Sequence, residues 1–243
     1  MRFVRKLHKW LGLIVVLQLL LWTVSGTMFA WLDHHDVSAE HSVRALAPAV
    51  LAPSSELVEP ATWGSDPDAG GILEVRLASL LDQWVWRVET VHGVTLRSAM
   101  TGEPIQLTQQ IVRELARRQY SGNGQIASVV YHPTPTIETR NLASTWEVRF
   151  ADEPATTLYF AADDGRLVEA RNGTWRLFDF FWMLHTMDYR GRDNFNNPLV
   201  ITVGFAALWL ALSGLLLLFK SFRRQDFGFA PAQARHPGVS RVE

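Results

Sequence analysis

Two uncharged apolar runs decide the fold: WLGLIVVLQLLLWTVSGTMFAWL over residues 10–32 and PLVITVGFAALWLALSGLLLLF over residues 198–219. Gln18 is the one strongly polar side chain in the first run. At about 1.5 Å per residue, a helix of either length crosses a hydrocarbon core of about 30 Å. Both runs are too long and too apolar to be ordinary helices of a soluble protein. The sequence therefore predicts two transmembrane helices, over 10–32 and 198–219.

The first run is predicted to stay in the mature protein rather than to be removed as a signal peptide. The apolar region of a signal peptide usually spans about 7–15 residues, which this run exceeds. Met28-Phe29-Ala30 is also a poor match to a cleavage site.

Basic residues next to the two runs predict the orientation of the chain. Nine of the 23 basic residues lie in the short segments 1–9 and 220–243, so both segments are expected in the cytoplasm. The connection over 33–197 holds 14 arginines, no lysine and 22 acidic residues, which gives it a net charge of −8. In a Gram-negative cell this connection would be periplasmic and the spans would lie in the inner membrane.

Composition excludes several classes of function. The chain has no cysteine, which excludes disulfides, thiolate-held iron–sulfur clusters and covalently attached c-type haem. A net charge of −1 gives no reason to expect a nucleic-acid partner. Gly-rich phosphate loops, nucleophile elbows and His-Glu-x-x-His motifs are absent from the sequence.

The connection divides into a predicted linker over 33–70 and a predicted domain over 71–172. Within this domain one strand pattern occurs twice. Its first copy contains Ile72–Leu77, Trp86–Glu89 and a turn closed by Gly102. Its second copy contains Ile126–Tyr131, Trp146–Arg149 and a turn closed by Gly165. The alternation within Trp-x-Val and the closing glycine are typical of antiparallel hairpins, although a pattern of this kind can also recur by chance.

A helix is predicted between the two copies. Over 107–120 the apolar residues Ile111 and Leu115 have helical spacing, and the arginines lie off that face. We assign this helix to the second copy.

Several motifs together resemble the PepSY-associated transmembrane family. They are Leu7-His8-Lys9-Trp10-Leu11-Gly12, the later Ser25-Gly26, the Trp-x-Val hairpins, and the aromatic segment from Trp175 to His185. The resemblance implies a membrane α+β fold, in which two transmembrane helices flank a periplasmic domain of two small PepSY-like antiparallel sheet and helix units. Larger relatives are described as iron-regulated membrane proteins, and some resemble haem-containing ferric-siderophore reductases with four spans, whereas two spans are predicted here.

Histidines near the ends of the spans are the candidate cofactor ligands. Two imidazoles on facing helices at one depth can hold a b-type haem iron, and His185 with His34 or His35 is the predicted pair. An amphipathic aromatic helix over 173–190 would offer the porphyrin a face. The residues of that face are Trp175, Phe178, Trp182, His185 and Tyr189. Arg176 and neighbouring arginines would pair with the propionates.

Each of these features also has a simpler interpretation. Aromatic residues concentrate at membrane–water boundaries in any membrane protein, so the stripe alone is consistent with a surface-lying helix. His34 and His35, in Asp33-His34-His35-Asp36, are equally consistent with a solvated polar end of the first span. His8 would need a second ligand from another subunit to bind haem, and it is also consistent with a basic interfacial position.

Two classes of function follow from these observations. In the first, the protein transfers electrons at the membrane through b-type haem, linked to reduction of iron or siderophores and to a periplasmic redox partner. In the second, it is a membrane-anchored periplasmic binding or regulatory module, or an accessory subunit of a larger reductase. Small residues in both spans favour a homodimer or a larger membrane complex.

Overall fold

A computed structural model describes residues 2–46, 50, 56–63 and 71–222. The chain divides into two compact units, Met1–Thr23 with Asn196–Glu243 and Val24–Phe195. Most of the predicted tail over 220–243, from residue 223 onward, lies outside the described residues, and so does His236.

The two predicted spans are helices, and most of their residues belong to the first unit. Helix α1 covers Arg2–Trp31 and helix α5 covers Pro198–Ser221, and both are long and apolar enough to cross a membrane. Helix α5 begins at Pro198 because the side chain of Asn197 accepts a hydrogen bond from the Val200 amide at 3.0 Å. Helix α1 begins eight residues before the predicted span, and its last turns belong to the second unit.

The second unit contains two four-stranded antiparallel sheets, each a simple meander. The first sheet consists of β1 (Ile72–Leu80), β2 (Gln83–Thr90), β3 (Gly93–Ser98) and β4 (Pro104–Ile105). The second sheet consists of β5 (Gln125–His132), β6 (Thr145–Ala151), β7 (Thr157–Ala161) and β8 (Leu167–Arg171).

The two sheets repeat the same details, which confirms the predicted repetition of strands. The pairing register shifts at the start of the first strand of each sheet, between Ile72 and Glu74 and between Ile126 and Ser128. Gly165 occupies the turn between β7 and β8 with a positive φ of 71°. A side chain there would be strained, and its Cβ would lie 2.9 Å from Leu115, so only glycine fits this turn.

The predicted central helix is present as α3 (Gln109–Gln119), but it does not belong to the second sheet alone. Thr108 caps the helix by accepting a hydrogen bond from the Ile111 amide at 3.3 Å. One continuous core joins the helix to both sheets. It includes Leu80, Val85 and Leu96 of the first sheet, Val112 and Leu115 of the helix, and Val148, Leu158 and Phe160 of the second sheet. The two predicted units therefore share one hydrophobic core.

The described part of the predicted linker is also ordered against the domain. It contains the short helix α2 (His34–Val37) and two 3₁₀ turns, Glu40–Ser42 and Pro60–Trp63. Val43 forms a β-bridge with Tyr120, and the Val58 carbonyl accepts a hydrogen bond from Trp86 Nε1 at 3.0 Å. Val43 therefore lies beside the end of α3, and Val58 lies beside β2 of the first sheet.

Helix α4 (Gly173–Thr186) is shorter than the predicted 173–190. Asn172 caps its start, and Met187 ends it in the left-handed conformation with φ 55°. The carboxylate of Asp188 then accepts hydrogen bonds from the amides of Arg190, Gly191 and Asn194, which closes a loop instead of another helical turn.

Candidate binding site

His185 lies in the last turn of α4, and its imidazole contacts the end of α1 within the second unit. Its Nδ1 atom is 2.8 Å from Oγ of Ser25, a fully buried residue. The ring packs edge-on against Phe29 with a centroid distance of 5.3 Å. Burial lowers the pKa of His185, which favours the neutral imidazole. The structure thus gives His185 a serine partner on the first apolar helix.

The predicted aromatic face of α4 is present, and a side chain of α1 covers it. Phe178, Trp182 and His185 share this face as the helical spacing predicts. The ring of Phe29 lies 4.9 Å from Phe178 and 6.1 Å from Trp182, centroid to centroid. Tyr189 lies beyond the end of the helix. A porphyrin on this face would need the volume that Phe29 occupies, so the described arrangement does not fit a haem stacked there.

His34 and His35 lie in the short helix α2, and their predicted pairing with His185 stays a prediction. Their ring centroids are 6.2 Å apart, and both side chains are exposed. His35 Nδ1 is 2.9 Å from a carboxylate oxygen of Glu40, and this hydrogen bond raises the pKa of His35. Within the described ranges, no group of three or more histidine, aspartate and glutamate side chains is placed to hold a metal ion.

Arg176 is placed away from the aromatic face and connects α4 to the second sheet. Its guanidinium donates to both carboxylate oxygens of Glu138, at 2.8 and 3.1 Å. It also donates to the Ala155 carbonyl at 2.8 Å and to Oγ1 of Thr157 at 2.9 Å. These donors are engaged in holding the helix on the sheet, so this placement gives no support to the predicted pairing with propionates.

His8 lies in the first unit, between α1 and α5. Its Nδ1 atom is 2.7 Å from Oγ of Ser213. The same hydroxyl lies 3.1 Å from the Leu210 carbonyl, so Ser213 is within hydrogen-bonding distance of a partner on each of the two helices. The role of His8 as a haem ligand, with a second ligand from another subunit, stays a prediction.

The second unit contains a groove between the first sheet, α3 and the β7–β8 turn, with a volume of about 690 Å³. Its floor is the edge of the shared core, formed by Leu80, Val85, Leu96 and Leu115, which are at most 7% exposed, together with the half-buried Leu167. Its rim contains acidic and basic side chains: Glu74, Arg76, Arg87, Glu89, Asp164 and Arg166. An apolar floor with a few polar groups around it is the usual composition of a binding site.

An ion pair across the groove joins the two sheets. Arg87 on β2 donates through Nε to Asp164 of the β7–β8 turn at 3.0 Å, and through a terminal nitrogen to Glu89 at 2.9 Å. Asp164 is nearly buried and also accepts a hydrogen bond from the Arg166 amide at 3.0 Å. The two acidic partners raise the pKa of Arg87. This bridge links the two sheets beside the groove and, together with the shared core, holds the width of the groove.

Comparison with known protein families agrees with the two apolar helices and the strands between them. Residues 5–241, nearly the whole chain, match the family described as PepSY-associated TM region. The chain belongs to this family. No curated protein and no solved structure matches it. Membership in the PepSY-associated TM family supports assignment of α1 and α5 to a lipid bilayer.

A buried polar network in this PepSY-associated TM chain was missed by the sequence reasoning. The Tyr159 hydroxyl lies 3.0 Å from Glu138 and 3.2 Å from Glu147, and Glu147 also accepts from His132 at 3.0 Å. Burial, reinforced by the two carboxylates, raises the pKa of Tyr159 well above its ordinary value. Strand alternation could have placed Glu147 opposite Tyr159, whereas Glu138 comes from a loop and has no such signal.

Proposed function

We propose that this chain is a membrane-anchored binding module, in which the groove beside the first sheet holds an extended segment of a partner protein. The observation that carries the proposal is the groove itself, which combines a leucine- and valine-lined floor with a rim of mixed charge. A floor of this kind favours apolar side chains of the partner, and the rim favours side chains of either sign at its margins.

The position of strand β1 indicates that the bound segment of the partner is extended rather than folded. Strand β1 is an edge strand of the first sheet, and Glu74, Arg76 and Ala78 of this strand line the groove. The described strands leave its outer edge unpaired. An edge strand of nine residues can add a partner strand through main-chain hydrogen bonds while the groove receives alternate side chains.

The proposal includes a location. The basic segments at both ends of the chain favour a cytoplasmic position for them and a periplasmic position for residues 33–197, in the inner membrane of a Gram-negative bacterium. Reporter fusions at residue 70 and residue 222 test this directly. Periplasmic activity at 70 and cytoplasmic activity at 222 support the orientation, and the reverse pattern contradicts it.

Photo-crosslinking in living cells tests the groove. A photoreactive residue replaces Ala78, which lines the groove, and in a matched variant it replaces Ala127, an exposed position on β5 outside the groove. Ultraviolet light should produce a discrete adduct of higher mass from position 78, and at most a weak one from position 127. The absence of an adduct at 78, or equal adducts at both positions, contradicts a partner in the groove.

Electron transfer through b-type haem is the second candidate, and one contact favours it. Histidine ligands commonly hold one ring nitrogen in a hydrogen bond, as His185 does with Ser25, but Phe29 lies on the face that would receive the porphyrin. A reduced-minus-oxidised spectrum of the purified chain, produced with haem supplied, distinguishes the candidates. Haem bands that disappear in His185→Ala but persist in His41→Ala support electron transfer, and a featureless spectrum excludes this candidate.

A further inference from the structure

The first unit contains a cavity of about 450 Å³ between the start of α1 and the end of α5. Three basic side chains line it: Arg5 and His8 from α1, and Lys220 from α5. Leu217 and Leu218 form part of its apolar wall. The cavity therefore combines cationic groups with an apolar surface at the end of two helices that are apolar enough to cross a membrane.

Packing between the two helices places His8 in this wall. Its Nδ1 is bonded to buried Ser213 at 2.7 Å. Gly214 allows the close approach, because a Cβ at that position would lie 3.3 Å from His8 Cε1. A larger residue at 214 would press against the imidazole, so the wall of the cavity depends on this glycine.

The side chains, rather than the helix ends, determine the charge of the cavity. The start of α1 carries about half a positive charge and the end of α5 about half a negative charge, so these contributions oppose each other. Arg5 and Lys220 each add a full positive charge. Among the described residues, Arg5 forms no ion pair with an acidic side chain. An anion is therefore attracted mainly by the two side chains.

We propose that this cavity binds the phosphate of an anionic phospholipid, with the acyl chains of the lipid along Leu217 and Leu218. A phosphate accepts hydrogen bonds from guanidinium and ammonium groups, and basic pockets between membrane helices are suited to lipid headgroups. The apolar wall favours a lipid over free phosphate, because a free anion gains nothing from contact with leucine side chains.

Two double variants with the same loss of charge test this site. R5Q/K220Q removes two positive charges that line the cavity. K6Q/K9Q removes two positive charges from the same end of α1, where both side chains are exposed and neither lines the cavity. The purified full-length protein in detergent is titrated with phosphatidylglycerol and with phosphatidylcholine, and native mass spectrometry measures the bound lipid.

The wild-type protein should bind phosphatidylglycerol more tightly than phosphatidylcholine. R5Q/K220Q should weaken phosphatidylglycerol binding roughly thirtyfold, since each basic group near a membrane surface contributes about fivefold, whereas K6Q/K9Q should change it less than threefold. The conservative variant R5K/K220R should retain most of the binding, and unchanged thermal unfolding of all three variants shows that they fold.

Three results would overturn the site. Equal losses in the two glutamine variants would show a nonspecific effect of surface charge. Equal affinity of the wild-type protein for the two lipids would show no preference for an anionic headgroup. Displacement of phosphatidylglycerol by millimolar inorganic phosphate would show that the cavity prefers the free anion to the lipid.

Discussion

Every residue of β7 in the second sheet is buried, whereas the central strand β2 of the first sheet contains two buried residues among eight. The shared core covers one face of β7, where Leu158 and Phe160 lie. Glu138 and Arg176 cover its other face, where Tyr159 and Thr157 lie. In the first sheet, the groove leaves the Arg87 and Glu89 side chains of β2 partly exposed. The same strand topology is therefore fully covered in the second sheet and partly open in the first.

The largest loss of stability is expected from a substitution in the core of the second sheet. Phe160→Ala removes a fully buried ring, so it should lower the free energy of unfolding by about 3–5 kcal/mol. Leu73→Ala on β1 is the control, because this side chain is 65% exposed. Thermal unfolding of the purified full-length protein, followed by tryptophan fluorescence, measures both variants. Similar losses in the two variants would contradict the proposed difference between the sheets.

The second-largest effect is expected on the pH dependence of stability, through the buried network around Tyr159. The unfolded chain releases the Tyr159 phenol proton near pH 10, whereas burial raises the pKa of this group in the folded protein. The contribution of Tyr159 to stability is therefore present below about pH 10 and decreases as the pH rises above it. Tyr159→Phe should remove this part of the decrease.

Melting temperatures at pH 8, 10 and 11 measure the effect. The wild-type protein should lose more stability between pH 10 and 11 than Tyr159→Phe does. Tyr131→Phe changes a tyrosine that is 45% exposed, and it should behave like the wild type. Parallel curves for the wild type and Tyr159→Phe would show that the hydroxyl does not contribute in this way.

The third effect concerns the bridge across the groove. Asp164→Asn keeps an oxygen for the Arg166 amide but loses the ion pair with Arg87, which is 26% exposed. Partial exposure limits the expected cost to about 1 kcal/mol, equivalent to a fall of about 2–4 °C in melting temperature. The same variant should reduce the photo-adduct from position 78, because the groove loses its fixed width. An adduct of unchanged yield would show that this bridge does not shape the site.

The smallest effect is expected at the surface pair between Arg118 of α3 and Asp82 of the β1–β2 turn. Arg118 donates two hydrogen bonds to Asp82, at 2.7 and 2.6 Å, but the carboxylate is 79% exposed. Water and salt weaken such a pair. Asp82→Asn should therefore leave the melting temperature unchanged within error. A fall as large as that of Asp164→Asn would mean that α3 depends on this contact.

The sequence was sufficient to predict the features that depend on a local pattern of residues. Both spans follow from uninterrupted apolar runs, the strands follow from alternation, and α3 follows from the spacing of Ile111 and Leu115. The sequence could not predict that Phe29 packs on the aromatic face of α4. About 150 residues separate Phe29 from Phe178, and a contact between such distant residues leaves no local sequence pattern. Arg87 and Asp164 likewise meet across 77 residues. The end of α4 was misjudged because Asp188 forms a loop from residues that continue the helical pattern.

Amide hydrogen exchange of the full-length protein compares the two sheets most directly. Strands β2 and β7 both have a paired strand on each side, although the pairing of β7 with β8 shifts register between Tyr159 and Phe160. The main difference between the two strands is therefore the covering of their faces. The amides of β7 should exchange more slowly than those of β2, in the way that fully covered strands are protected. Equal protection of β2 and β7, or stronger protection of β2, would contradict the account.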